Sequence, residues 1–329
     1  MALPQSSPKP RGYLQRLAPE AYRGLAVVFW THTVKRRGTG WLDGVWHSAF
    51  REIALHAASR EHVLCPIYTL MPDHLHLVWM GVSATSDQRR ASVFLRRHLE
   101  PRLLRGLGCR NRRLLRKQLA SRSSRGHEAG IMALPPSSPK PRGYLPRLAP
   151  EAYRGLAIVF WTHTVKHRGT GWLDDVWHSA FRELALHAAA REHVLCPIYT
   201  LMPDHLHLVW MGVSATSDQR RASVFLRRHL EPRLKPHGWQ HQAHDHVLRD
   251  EERQRNAFGA TCAYIAENPV RAGLVAEAAA WSFTGCIVPG FPKLHPLAPD
   301  YWDVFWRIYN VAVERGAIGK LEKETEPAP

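Results

Sequence analysis

Three shortages narrow the reading before any motif is considered. No apolar run approaches the roughly 18–20 residues that a membrane-spanning helix needs, so no membrane partner is expected. None of the five cysteines (Cys65, Cys109, Cys196, Cys262 and Cys286) belongs to a C-x-x-C pair. That spacing supplies neither a disulfide framework nor a thiolate zinc site, and it suits a reducing compartment. Acidic residues are also scarce: 28 Asp and Glu stand against 45 Lys and Arg, a formal charge of +17. Such a surplus favours a polyanionic partner, nucleic acid first. The first residues, MALPQSSPKPRGYL, have no apolar core segment, so no signal peptide is expected. The expected location is cytoplasmic and nucleoid-associated.

What the chain does have is itself, twice. Residues 1–103 recur at 132–234 with a constant offset of 131 and no gaps. The exchanges are Gln5/Pro136, Gln15/Pro146, Val27/Ile158, Arg36/His167, Gly44/Asp175, Ile53/Leu184 and Ser59/Ala190. A unit of this length is far beyond a solenoid repeat and reads as a tandem duplication. After Leu103 and Leu234 the copies diverge. The first enters residues 104–131, with eight Arg or Lys against one Glu, which reads as a basic linker. The second continues into further structured sequence. The expected organisation is a truncated duplicate (1–103), a linker (104–131), a complete domain (132–285) and a tail (286–329) with an amphipathic helix in DYWDVFWRIYNVAVERG. Met132 is a second candidate start.

The second copy alternates helical and strand patterns. Leu156–Val165 is β-branched and aromatic and reads as a strand. Trp177–His193 has helical apolar spacing. Cys196–Met202 and His205–Met211 read as strands joined through the turn pair Pro203-Asp204. Ala222–His229 reads as a basic helix ended by Pro232, and His244–Leu248 as a short strand. Glu251–Glu267 reads as a helix ended at Asn268-Pro269. This order predicts an α+β fold with an antiparallel sheet. The first copy lacks the last strand and helix, so one sheet edge and one face should be left uncovered.

The segment MPDHLHLVW occurs at Met71–Trp79 and Met202–Trp210. On a strand, residues i and i+2 share a face, so His205 and His207 present two imidazoles together, as do His74 and His76. H-x-H fits a divalent metal pair, or two hydrogen-bonded histidines on a half-buried strand. Tyr264 and Asn268 stand at i and i+4 on one helical face. Together they suit a nucleophile and a third metal ligand facing the histidines. Packing for Tyr264 and capping before Pro269 for Asn268 are the alternatives.

MPDHLHLVW combined with YIAENPVRAGLV resembles the REP-associated tyrosine transposases, single-tyrosine HUH endonucleases of the IS200/IS605-like type. The resemblance covers about Tyr144–Phe283 as a whole domain and Tyr13–Leu103 as a partial one. It implies a ferredoxin-like core, His205, His207 and Asn268 as ligands of Mg²⁺ or Mn²⁺, and Tyr264 as the nucleophile. The implied activity is nicking and rejoining of single-stranded or hairpin DNA through a 5′-phosphotyrosine. The first copy keeps His74 and His76 without matching Tyr or Asn, which predicts an inactive duplicate.

Arg220, Arg221, Arg227, Arg228 and His229 on one helix, and Arg249, Arg253 and Arg255 before the tyrosine, fit phosphate contacts or a solvated face. Trp161, Trp210 and Trp239 fit base stacking, with core packing favoured for the first two. The competing readings are a non-catalytic hairpin-DNA-binding protein and a decayed fusion with an unfolded first copy. A dimer, or an intramolecular pseudo-dimer of the two copies, is a further expectation.

Overall fold

The computed structural model describes residues 17–34, 38–101, 147–248 and 257–324. The fold is α+β, with two antiparallel sheets and helices packed on them. The first repeat forms β1 (Val27–Thr33), α1 (Gly44–Glu61), β2 (Val63–Leu64), β3 (Tyr68–Leu70), β4 (His74–Gly81) and a helix α2 over 88–101. The second repeat forms β5 (Ile158–Thr164), α3 (Asp175–Arg191), β6 (Val194–Met202), β7 (His205–Gly212) and α4 (Gln219–Leu230). Four more elements follow: β8 (His244–Val247), α5 (Ala257–Arg271), β9 (Thr284–Ile287) and α6 (Tyr301–Glu324).

The local causes are legible. Asp174 caps α3 by accepting from the Trp177 N–H at 2.7 Å, and Asp43 does the same for α1 through Trp46 at 2.8 Å. Such a cap satisfies one of the orphan N–H groups of the first turn. Gly212 lies where β7 passes the Gly155 carbonyl, and a Cβ there would fall 1.8 Å from that oxygen. Only glycine fits.

The second sheet has the order β8-β5-β7-β6-β9, every neighbour antiparallel. Strand alternation sorts its side chains into two layers. Val159, Trp161, Leu206, Leu208 and Trp210 pack under α3 and α4, with Phe181, Leu186, Leu226 and Leu230. Ile158, Val209, Met211, Leu195 and Ile198 pack under α5 and α6, with Cys262, Ile265, Tyr301 and Phe305. Tyr301 and Phe305 of α6 thus belong to this second layer.

The first repeat has its own core under α1 and α2, built on Phe50, Ile53, Leu77, Trp79 and Leu95. Among the described residues its other sheet face is largely exposed. Val27 is 62 % exposed and Phe29 65 %, whereas Ile158, the partner of Val27 in the repeat, is 7 % exposed. Leu64, Ile67 and Met80 are exposed on the first repeat as well.

Two sequence expectations need correction. The tyrosine helix runs through Pro269 to Arg271. Proline this close to a helix end removes one backbone bond, and Ala272 and Leu274 N–H groups still close onto the Asn268 and Pro269 carbonyls at 2.9 Å. Residues 251–256 of the expected helix lie outside the described residues. Strand β9 (Thr284–Ile287) was not anticipated.

Candidate active site

Alternation along β7 decides where the histidines go. Leu206 and Leu208 face α3 and α4, so His205 and His207 face the opposite layer, with Val209 and Met211. There Thr162 lies across from His207 and Thr164 across from His205 on β5. The two Nε2 atoms converge to 3.0 Å.

Each ring is held from behind. The Asp204 carboxylate accepts from His205 Nδ1 at 2.5 Å. The Thr162 hydroxyl meets His207 Nδ1 at 2.9 Å. A hydroxyl can donate or accept, so it serves either tautomer of His207. Phe160 stacks on His207 with centroids 5.5 Å apart. Arg168 pairs with the far oxygen of Asp204 at 2.8 Å. Burial alone would raise the Asp204 carboxyl, but the His205 bond and charge, with Arg168, hold it below its usual range.

Burial, then the neighbouring His205, pushes His207 down to about 3, with Arg168 and His244 adding to the effect and Asp204 opposing it. The ring is neutral near pH 7, the form that ligates metals. Two ligands held about 2.1 Å from one ion, at right angles, are about 3.0 Å apart. The histidine pair meets that spacing. Among the described residues no group of three or more His, Cys, Asp or Glu forms a cage. The donor set fits a divalent ion with open positions.

Helix α5 brings Tyr264 to this point. Its ring meets His207 edge-on at 5.7 Å between centroids, and it is 40 % exposed, open to a large substrate. Arg271, two turns along the helix, places its guanidinium over the Tyr264 ring at 5.2 Å. Asn268 is buried, and its amide nitrogen donates to the Tyr264 carbonyl at 2.8 Å. That bond sets the amide's orientation; it is not a cap, because the helix continues. Asp204, Thr162, Arg168 and Arg271 were not read as site residues from sequence. The available signals were an Asp directly before H-x-H and a Thr alternating with Phe on the preceding strand.

The first repeat repeats the histidine geometry. His74 and His76 Nε2 atoms are 3.0 Å apart, Asp73 holds His74 at 2.6 Å and Thr31 holds His76 at 2.9 Å. The rings packed on His76 are Phe29 and His74. Tyr264 stands beside His207 instead.

The basic helix α4 is less uniform than its sequence. Arg228 and Arg221 are exposed, Arg220 is half-buried, and Arg221 reaches Glu192 at 3.4 Å. Arg227 is turned inward, donating to the Gln240 carbonyl at 2.6 Å and lying over the Trp239 ring. Trp239 is 2 % exposed and Trp161 and Trp210 are buried, so none of the three presents a face to a base. Arg249, Arg253 and Arg255 lie outside the described residues. No helix among the described residues is long and apolar enough to cross a membrane.

No protein-family model and no curated protein matches the chain. Among solved structures, the chain is similar to a REP-associated tyrosine transposase bound to a REP hairpin. The identity is 20 %, the match covers 43 % of this chain and 81 % of that one, and the TM-score is 0.34.

Proposed function

We propose that the second repeat and its C-terminal extension form a single-tyrosine HUH nickase and transposase acting on single-stranded or hairpin DNA. The observation that carries this reading is the meeting of Tyr264 with the His205/His207 pair, from segments far apart in the chain. The strand order β8-β5-β7-β6, with α3 and α4 on one face, supports a ferredoxin-like core.

His205, His207 and Asn268 would hold the divalent ion, Mg²⁺ or Mn²⁺, which supplies Lewis-acid polarisation of a phosphate oxygen and neutralises charge in the transition state. Tyr264 Oη attacks phosphorus in line and forms the Tyr–O–P bond. The P–O3′ bond breaks, and the departing 3′ oxygen takes up a proton from solvent as the phenol proton is released. The phosphodiester is conserved as a 5′-phosphotyrosine, so attack by another 3′-hydroxyl reverses the step and rejoins DNA without a nucleotide cofactor. Arg271 keeps a positive charge over the attacking ring, and Asp204 and Thr162 keep the two imidazoles aimed. Arg220, Arg221 and Arg228 would meet phosphates of DNA that passes over α4, which would add salt-dependent affinity but no sequence code. In this reading His74 and His76 are an inactive duplicate.

The test is covalent trapping of labelled hairpin DNA with Mn²⁺, resolved under denaturing conditions. An adduct is expected with the intact chain and with His74→Ala/His76→Ala, and its loss with Tyr264→Phe and with His205→Ala/His207→Ala. Hairpin binding with no adduct on any substrate would replace the enzyme with a non-catalytic hairpin-binding protein.

A further inference from the structure

Helices α1 and α3 pack against each other, and their ion pairs cross. Arg51 of α1 pairs with Glu183 of α3, while Arg182 of α3 pairs with Glu52 of α1. At the repeat offset of 131, Arg51 corresponds to Arg182 and Glu52 to Glu183. Each helix therefore meets, in its partner, the same two residues that it presents. When residue i meets j and j also meets i, the two elements are related by a two-fold rotation, the signature of an isologous contact.

The contact is built rather than incidental. Arg182 donates to Glu52 Oε1 at 3.0 Å from Nε and 2.7 Å from a terminal nitrogen, and its other terminal nitrogen donates to the Tyr199 hydroxyl at 2.8 Å. The Arg182 and Glu52 side chains are 18 % and 7 % exposed. Leu55 of α1 packs on the second repeat's core, which contains Leu186, its own counterpart. The exchanges between the two helices, Gly44/Asp175, Ile53/Leu184 and Ser59/Ala190, leave the Arg, Glu and Leu positions unchanged.

We propose that the Arg182–Glu183 face of α3 is a self-complementary pairing surface whose partner is a second copy of that face, and that the first repeat occupies it within the chain. The duplicate thus acts as a fused second subunit. Charge complementarity selects this occupant: a second α3 offers the same Arg, Glu and Leu groups, in the same order, as α1 does. This inference is independent of the catalytic reading, since no residue in it belongs to the proposed site.

The test is sedimentation of the full-length chain. Wild type is expected to be a monomer. Glu52→Arg sets a cation against Arg182 while leaving α3 intact, so the freed α3 faces of two chains should pair. The dimer dissociation constant should fall at least about tenfold relative to wild type. Adding Arg182→Glu restores the internal pair and places carboxylates together in the alternative α3–α3 contact, so that chain should return to monomer. Adding Glu183→Arg to Glu52→Arg should also abolish the dimer. A Glu52→Arg chain that stays monomeric, or a dimer that survives Glu183→Arg, overturns the proposal. Should Glu52→Arg lose its near-ultraviolet circular dichroism, Arg51→Glu on the more exposed pair takes its place with the same expectation and the same overturning result.

Discussion

Thr162 Oγ1 and His207 Nδ1 face each other at 2.9 Å across the β5–β7 ladder, and this bond fixes which way the more buried imidazole of the site points. Outer hydrogen bonds of this kind orient ligating histidines, and their loss costs about 10–100-fold in metal affinity. Thr162→Val should therefore weaken Mn²⁺ binding by that order, read by calorimetry or by the electron paramagnetic resonance of free Mn²⁺, with the thermal midpoint little changed. Unaltered Mn²⁺ affinity would remove Thr162 from the site.

Acid should destabilise the second repeat through His178. Burial, then the Arg182 charge, holds this imidazole down to about 4, with Glu52 opposing. A depressed histidine binds its proton more tightly in the unfolded chain. Its contribution is complete above the unfolded value of about 6.5 and is lost as pH falls from there towards 4. The full effect is about 3 kcal/mol at most. Urea midpoints should fall between pH 7 and pH 5, and His178→Asn should make that slope shallower, with the depressed His207 and His163 still contributing. An equally steep slope in the variant would assign the acid sensitivity elsewhere.

The two faces of one sequence should respond differently to the same cut. Ile158 is buried beneath α5 and α6, so Ile158→Ala should cost about 2–5 kcal/mol. Val27, its counterpart, is 62 % exposed, so Val27→Ala should stay within about 0.5 kcal/mol. Chemical denaturation of the two variants checks both values. A comparable loss at Val27 would mean that the first repeat's face is covered in solution.

Gly212→Ala should prevent proper closure of β7 onto the 155 turn. The added methyl would meet the Gly155 carbonyl at 1.8 Å, with Gln219 Nε2 behind it at 2.5 Å. Backbone cannot yield as a side-chain end does, so a drop in soluble yield or a shifted thermal midpoint is expected. A wild-type melting curve would show that the turn adapts.

Much of this arrangement was readable in the residues. The alternation of HLHLVWM puts the histidines and apolar residues on opposite faces wherever the strand is laid, and LAIVFWTHTV could be little but a strand. The exposed face of the first repeat, among the described residues, was also expected, because nothing after Leu103 resembles the tyrosine helix. Proline misled the reading at Pro269, since its ring ends helices by default yet costs only one bond so near the terminus. Strand β9 escaped because TGCI is short and contains Gly285, whose missing side chain makes room for the Tyr199 hydroxyl. Trp239 and Arg227 looked like surface groups because local sequence does not report that they cover each other. The crossed α1–α3 ion pairs lie further out of reach: a pattern of charges on one helix does not name the helix that answers it.

Fusing the two repeats changes the thermodynamics of the α1–α3 contact. Two separate chains would have to find each other, and the share of paired molecules would follow their concentration. Joined in one chain, the same surfaces meet at an effective concentration on the order of millimolar. Pairing within one chain then wins over pairing between chains at lower protein concentrations, and its closure does not depend on how much protein the cell makes.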